Sequence, residues 1–332
     1  MTSRPVRVAI NGFGRIGRTL ARQILSGAPG VELVHVNDIE AGDLLAYLFA
    51  YDSVFGPWPG PVSAEDGALV AGAQRVPLTR AADLSALDLS GVDVLLECTG
   101  RAATRAIAEQ GLRAGAARVL ISGPSPAADV TVVLGANEGE LAEQPIVSNA
   151  SCTTNALAPL LRLLDQGWGV ESGHMTTVHC YTGSQPTVDK PRGTPERSRA
   201  AALSMVPTTT SAGKLIGTVL PHLDGRVEAR ALRVPTASVS CVDLTVAPRR
   251  PATAEAVNAA LRDAAAPGGV FGWIEEPLVS TDLRGRPESV VMSGPETSVN
   301  AGGLLRVFGW YDNEWGYSCR MLDMARRMGA AG

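Results

Sequence analysis

Val6-Arg7-Val8-Ala9-Ile10-Asn11-Gly12-Phe13-Gly14-Arg15-Ile16-Gly17-Arg18 is a β-branched run, a glycine turn and the start of a helical pattern that continues to about Leu25. Strand, turn and helix in that order form the opening of a dinucleotide-binding unit. Gly12 allows the tight turn, Gly14 lets backbone approach a pyrophosphate, and Gly17 lets the helix lie close to the sheet. The next strand, Glu32-Leu33-Val34-His35-Val36-Asn37-Asp38, ends in an acid where such folds place their ribose ligand. A carboxylate there accepts hydrogen bonds from the adenosine hydroxyls and repels a 2′-phosphate, so Asp38 favours NAD over NADP. The alternative reading makes Asp38 the cap of a helix starting near Ala41.

Residues 44–49 read as a helix segment and residues 51–61 as an irregular loop. Val92-Asp93-Val94-Leu95-Leu96-Glu97-Cys98-Thr99-Gly100 predicts a buried parallel strand, residues 101–114 a crossover helix, and Arg118-Val119-Leu120-Ile121-Ser122 the next strand. Strand and helix alternate as far as Ser148, which indicates a doubly wound α/β sheet with ligands beyond the carboxyl ends of its strands. Gly12, Asp38, Thr99 and Ser122 all fall at such ends. Beyond Cys152 the pattern changes. Residues 173–180, 227–234, 237–246 and 303–310 are long, β-branched or apolar segments that predict a mostly antiparallel sheet covered by helices on one face. The expected fold is therefore a Rossmann-type NAD-binding domain over residues 1–150 and an α+β catalytic domain over residues 151–315. An amphipathic helix within residues 316–332 returns to the first domain. Residues 181–207 form a long segment crowded with Pro, Gly and charge, a length that is usually functional or steadied by a partner surface.

Across 332 residues the formal net charge is −4, which provides no general field for nucleic acid or an anionic membrane, so any anion site must be built locally. Five scattered cysteines argue for a reducing compartment and against a disulfide framework or a structural metal site. No leader precedes the first strand and no apolar run spans a bilayer, so a cytoplasmic protein is expected.

Within Asn149-Ala150-Ser151-Cys152-Thr153-Thr154-Asn155 the thiol stands at a helix start, before an apolar run from Ala156 to Leu164. Main-chain N–H groups there favour a thiolate and the oxyanion made when it attacks a carbonyl, and Ser151 and Thr153 add hydroxyls suited to an anion. Alone, a cysteine before a helix is most often an inert, partly buried small residue. His179 ends the strand Met175-Thr176-Thr177-Val178 and is the natural general base for Cys152, against the plainer reading of a half-buried imidazole. Arg197, Arg199, Thr208, Thr209, Thr210, Ser211 and Arg233 together make a phosphate-binding set, although each arginine alone reads as a solvated charge.

These motifs, with Tyr51-Asp52-Ser53, Glu97-Cys98-Thr99-Gly100, Arg233-Val234-Pro235-Thr236 and Trp310-Tyr311-Asp312-Asn313-Glu314-Trp315-Gly316-Tyr317, resemble the phosphorylating glyceraldehyde-3-phosphate dehydrogenases over nearly the whole chain. The resemblance implies Cys152 as nucleophile and His179 as base, with NAD contacted by Asn11, Gly12, Gly14, Arg15, Ile16, Asp38, Thr99, Ser122, Asn313 and Tyr317. It implies that Ser151, Thr153, Thr210 and Arg197 hold inorganic phosphate, with Ser211 beside them, and that Thr182 and Arg233 hold the phosphate of the aldehyde. A homotetramer is implied as well, the segment from Tyr181 reaching a neighbouring subunit's cofactor pocket. Departures from the family pattern are Ala156 in place of a second cysteine, and changes at Ser184, Lys190, Glu196 and Ser211. Ser211 replaces a glycine and is expected to project a side chain where backbone approach is usual. Lys190 would soften the discrimination against NADP that Asp38 imposes. Two other readings stay open: a paralogue acting on erythrose 4-phosphate or resisting a thiol-directed inhibitor, and a non-catalytic NAD-binding protein.

Overall fold

A computed structural model describes residues 4–330, which divide into two compact units. The first holds the described residues up to Val132, Gly139–Ala150 and the chain from Ser318; the second holds Val133–Glu138 and Ser151–Tyr317. No helix among the described residues is long and apolar enough to cross a membrane.

The first unit is built on the strand Val6–Asn11, whose Val8 and Ile10 are fully buried, as befits a parallel strand covered on both faces. Val31–Asn37 pairs parallel on one side of it and Val94–Glu97 on the other. Beyond Val94–Glu97 lie Arg118–Ile121, Ile146–Ser148 and Val130–Thr131; beyond Val31–Asn37 lie Gln74–Thr79 and the antiparallel strands Ala68–Ala71 and Val62–Glu65. The chain thus leaves the central strand towards both sides, which opens a crevice at the carboxyl ends Asn11, Asn37 and Glu97.

The crossover expected over residues 101–114 is shorter and broken. Helix begins only at Arg105, and Arg105–Ala108 gives way to Gln110–Arg113 at Glu109. Gly111 explains the local weakness. A Cβ there would stand 2.3 Å from Leu95 Cδ2, so close packing on the strand is bought with the poorest ordinary helix former. The final helix, Trp315–Ala330, is tied into the first unit by Arg118 Nη1 donating to the Met328 carbonyl (3.0 Å) and by Arg326 Nε donating to the Pro29 carbonyl (2.8 Å).

The second unit carries the strand order Val206–Thr209, Val227–Val234, Val170–Cys180, Ser240–Pro248, Leu305–Tyr311, Val290–Ser293, Phe271–Ile274. Most neighbours are antiparallel, but Val170–Cys180 runs parallel to Val227–Val234, and Phe271–Ile274 runs parallel to Val290–Ser293. The first of these parallel pairs sets His179 directly opposite Arg233. The helix Cys152–Trp168 buries Ala156, Leu157, Leu160, Leu161 and Leu164 and packs on Val170–Cys180, Ser240–Pro248 and Leu305–Tyr311. Burial of that apolar stripe stabilises the helix and so holds its first residue, Cys152, at a fixed place over the sheet. Within residues 181–207 the chain braces itself on Asp189, which accepts from Arg199 Nε and from the Ala200 main chain, both at 2.9 Å.

Candidate active site

In the first unit the strand ends are locked by a buried polar relay. Asn37 Nδ2 donates to Asn11 Oδ1 (2.9 Å), Asn11 Nδ2 donates to Glu97 Oε2 (2.5 Å), and Glu97 Oε1 accepts from the Thr99 main chain (2.9 Å) and its hydroxyl. Gly12 has φ +91°, and a Cβ on it would lie 2.7 Å from Thr99 N. Nothing surrounds the place where a Gly14 Cβ would be, and at Gly17 a Cβ would fall 2.1 Å from the Gly12 carbonyl oxygen. Asp38 Oδ2 accepts from Phe13 N (2.6 Å) and Oδ1 from Glu40 N (3.0 Å), which hinges the carboxylate to the glycine turn. It does not cap the helix Gly42–Ala50, whose N-cap residue is Ala41. A cleft of about 320 Å³ lies over these groups, lined among others by Gly12, Gly14, Asp38, Thr99, Arg101 and Gln110. A turn with no room for Cβ, open space at Gly14 and a carboxylate at the next strand end together fit a dinucleotide.

Two expected cofactor residues have other engagements. The Arg15 guanidinium pairs with Asp52 and lies 5.6 Å from the centre of the Phe55 ring, so Arg15 and Ile16 bring chiefly the main chain of a helix start to the turn. Ser122 hydrogen-bonds the buried thiol of Cys98, whose ionisation burial pushes well above the usual range.

In the second unit Ser151 is the N-cap of the helix Cys152–Trp168, its Oγ accepting from Thr154 N at 3.1 Å. Cys152 Sγ lies 3.7 Å from His179 Nε2. The other ring nitrogen, Nδ1, meets Arg233 Nη1 at 2.6 Å and the Cys180 carbonyl oxygen at 2.7 Å, while the same Nη1 donates to that carbonyl at 3.0 Å. The buried Tyr311 hydroxyl bridges Thr153 Oγ1 (2.9 Å) and Thr177 Oγ1 (2.8 Å), tying the first turn of the nucleophile's helix to the strand that ends in His179. Asn313 Oδ1 accepts from Cys180 Sγ at 3.1 Å, and Tyr317 is buried in the next turn.

Burial and one nearby charge set the electrostatics of the pair. Burial raises the Cys152 thiol, against the pull of the Arg233 charge and of hydrogen bonds from Thr153 and the main chain at the helix start. Burial, and then Arg233, lower His179 to about 4. Lost hydration thus works against the ionisation of the sulfur, and the helix N–H groups and Arg233 work for it.

The phosphate set is partly dispersed. Arg197 Nη2 donates to Thr208 Oγ1 (2.5 Å), and Thr210 Oγ1 accepts from Ala212 N (3.2 Å) at the start of the helix Ala212–Val219. Val206 stands opposite Arg233 in the adjacent strand, which places this group on the strand next to the one ending at Arg233. Thr182 Oγ1 is hydrogen-bonded to Ser184 Oγ (2.9 Å), and the Thr153 hydroxyl is held by Tyr311. Ser211 adopts φ −72° and ψ −11°, a conformation any L-residue takes, and it is exposed. Its Cβ therefore brings no backbone strain. Lys190 is exposed. Tyr311, Thr177 and Glu97 were not singled out from sequence; an aromatic among Trp310 and Trp315, or an acid inside an apolar strand, has no local signature of what it binds.

The model of the glyceraldehyde 3-phosphate dehydrogenase NAD binding domain matches residues 6–105, and that of the C-terminal domain of the same family matches residues 151–313. Among curated proteins, a glyceraldehyde-3-phosphate dehydrogenase of Cereibacter sphaeroides is 46% identical over 329 residues, covering 98% of each chain. Glyceraldehyde-3-phosphate dehydrogenase 2 of Streptomyces arenae is 45% identical over 334 residues, 98% of this chain and 99% of its own. Glyceraldehyde-3-phosphate dehydrogenase 1 of Bacillus subtilis is 44% identical over 326 residues, 96% of this chain and 97% of its own.

Proposed function

The chain belongs to the glyceraldehyde-3-phosphate dehydrogenase family and is an NAD-dependent enzyme, and from that premise we propose that it oxidises glyceraldehyde 3-phosphate and captures the acyl group with inorganic phosphate, giving 1,3-bisphosphoglycerate. The observation that carries this reading is the 3.7 Å approach of His179 Nε2 to Cys152 Sγ at the start of a helix. Cys152 Sγ bonds to the aldehyde carbon, and its proton passes to the carbonyl oxygen to give a hemithioacetal. NAD, when bound, accepts the hydride that this carbon loses. His179 Nε2 takes the hydroxyl proton as the carbonyl re-forms, leaving a thioester on Cys152. A phosphate oxygen then bonds to the acyl carbon, the C–S bond breaks, and the acyl phosphate leaves.

In this reading Thr182 and Arg233 hold the substrate's phosphate, and Ser151, Thr153, Thr210 and Arg197 hold the attacking one. Asn313 and Tyr317 steady the cofactor, and Asp38 selects NAD through the adenosine hydroxyls. A homotetramer is part of the proposal. Val188, Leu203 and Met205 on residues 181–207 are 71%, 84% and 71% exposed, a cost that a subunit contact would relieve. Five free cysteines support work in a reducing compartment such as the cytoplasm. The test is NADH formation from glyceraldehyde 3-phosphate and NAD, with and without inorganic phosphate. Sustained phosphate-dependent turnover supports the proposal; a single burst indifferent to phosphate, or no signal, removes it.

A further inference from the structure

Glu97 has no task in the reaction as read above, yet it is a costly residue to place where it stands. It is 3% exposed and follows the buried Val94, Leu95 and Leu96 at the end of their strand. Its oxygens are met by neutral donors, Oε2 by Asn11 Nδ2 and Oε1 by the Thr99 main chain and hydroxyl. No arginine, lysine or histidine among the described residues pairs with it. Taking a carboxylate out of water without a cation is strongly unfavourable. The relay points at this charge without cancelling it. Thr79 Oγ1 (2.8 Å) and Ala81 N (2.9 Å) donate to Asn37 Oδ1, Asn37 Nδ2 donates to Asn11 Oδ1, and Asn11 Nδ2 donates to Glu97. Each amide turns its N–H towards Glu97 and its oxygen away, so the chain is one polarised run that ends on the carboxylate. Asn11 and Thr99, which touch Glu97, both line the cleft, and the negative charge therefore lies just behind its wall.

Strand order says which half of the cofactor meets that charge. Asp38, just past Val31–Asn37, marks the adenosine side of the glycine turn. Val94–Glu97 pairs with Val6–Asn11 on the opposite side, where a dinucleotide lays its second mononucleotide. For NAD that half is the nicotinamide, whose ring is positively charged when oxidised and neutral as NADH. We propose that Glu97 selects the oxidation state of the cofactor: its buried carboxylate answers the charged nicotinamide ring, so the site holds NAD more tightly than NADH. No contact is needed, because one charge acting over about 10 Å at an effective dielectric constant of about 20 changes affinity on the order of tenfold. Hydride arrival removes the charge that Glu97 attracts, and NADH is released more readily for it. The same attraction makes bound NAD a weaker hydride acceptor, so the residue trades driving force in the chemical step for product release. The inference rests on the NAD site alone and is independent of which aldehyde is oxidised.

The experiment is calorimetric titration of the full-length enzyme with NAD, NADH and ADP-ribose, which lacks the ring, all without aldehyde. Glu97→Gln keeps the volume and loses the charge. It should weaken NAD on the order of tenfold while NADH and ADP-ribose shift by no more than about twofold. Glu97→Asp keeps the charge and loses reach, so the ratio of NAD to NADH affinity should persist even as both fall. An equal loss for all three ligands in Glu97→Gln is the result expected of a residue that only locks the strand ends, and it overturns the proposal. Collapse of the ratio in Glu97→Asp does the same. Should Glu97→Gln fail to fold, the native enzyme decides through benzamide adenine dinucleotide, whose ring has the shape of nicotinamide and no charge. Binding as tight as that of NAD overturns the proposal, and binding on the order of tenfold weaker supports it. Because no aldehyde is present, failure here leaves the functional reading standing, and absence of turnover leaves this inference to be judged by binding.

Discussion

The glycine turn of the first unit and the thiol site of the second solve the placement of chemistry in opposite ways. At the turn the functional object is backbone. Gly12, Gly14 and Gly17 lie within six residues, and their contribution is the Cβ atoms they lack. At the thiol site the functional objects are side chains from three separate elements: Cys152 on a helix start, His179 on a strand end and Arg233 on the neighbouring strand. The first can be made by local sequence, the second only by a completed sheet. Damage to the turn should therefore act through fit and stability, and damage to the thiol site through chemistry.

The largest expected effect is on that chemistry. Cys152→Ser should lower turnover by on the order of 10⁴-fold or more while NAD affinity, read by calorimetry, changes little. A large loss of NAD affinity in that variant would break the contrast. His179→Asn should cost about 10²- to 10⁴-fold in the rate of hydride transfer, and it should also flatten the acid side of the stability curve. The folded imidazole titrates near 4 against 6.5 for the unfolded group, so above pH 6.5 both states are neutral. As pH falls from 6.5 towards 4 the unfolded chain takes up a proton that the folded one refuses, and stability drops by up to about 3 kcal/mol. Urea melts across that window should show the slope in the native protein and its absence in His179→Asn.

Smaller effects are expected at the turn. Gly17→Ala places a methyl 2.1 Å from the Gly12 carbonyl oxygen, and should lower stability by about 2 to 3 kcal/mol in denaturant melts while leaving the alkylation rate of Cys152 near that of the native protein. An equal loss of thiol reactivity would show that the two regions are not separable. Asp38→Asn should be milder still: about tenfold weaker NAD binding and a narrower preference over NADP, since the amide keeps the volume and loses the charge.

The same contrast sorts what could be read from sequence. The doubly wound sheet was legible because a thirteen-residue stretch carries its own chemistry, and Asp38 followed from its place at the next strand end. Cys152 and His179 were legible as types in suitable positions, but their contact was not, since it depends on packing a helix over a sheet. The Arg233 contact with His179 Nδ1 needed a parallel pairing between residues 54 apart in sequence. Thr153 was legible as a hydroxyl beside the thiol, but its contact with Tyr311, 158 residues away, was not. Arg15 was legible in the turn, but its pairing with Asp52 was not. Local rules locate the groups; which partner each one takes is decided by distant residues.

The parallel pairing of Val170–Cys180 with Val227–Val234 has one more consequence, for how the protein can vary. Side chains alternate along a strand with period two, so His179 and Arg233 stay neighbours only while the pairing keeps its parity. Insertions in the connections that lead into either strand leave that parity untouched, whatever their length. A single residue added or removed inside either strand, ahead of His179 or Arg233, would turn one of them to the far face. Length variation among descendants of this chain is therefore free in the loops and forbidden over these two short stretches, although nearly every position within them could change its side chain.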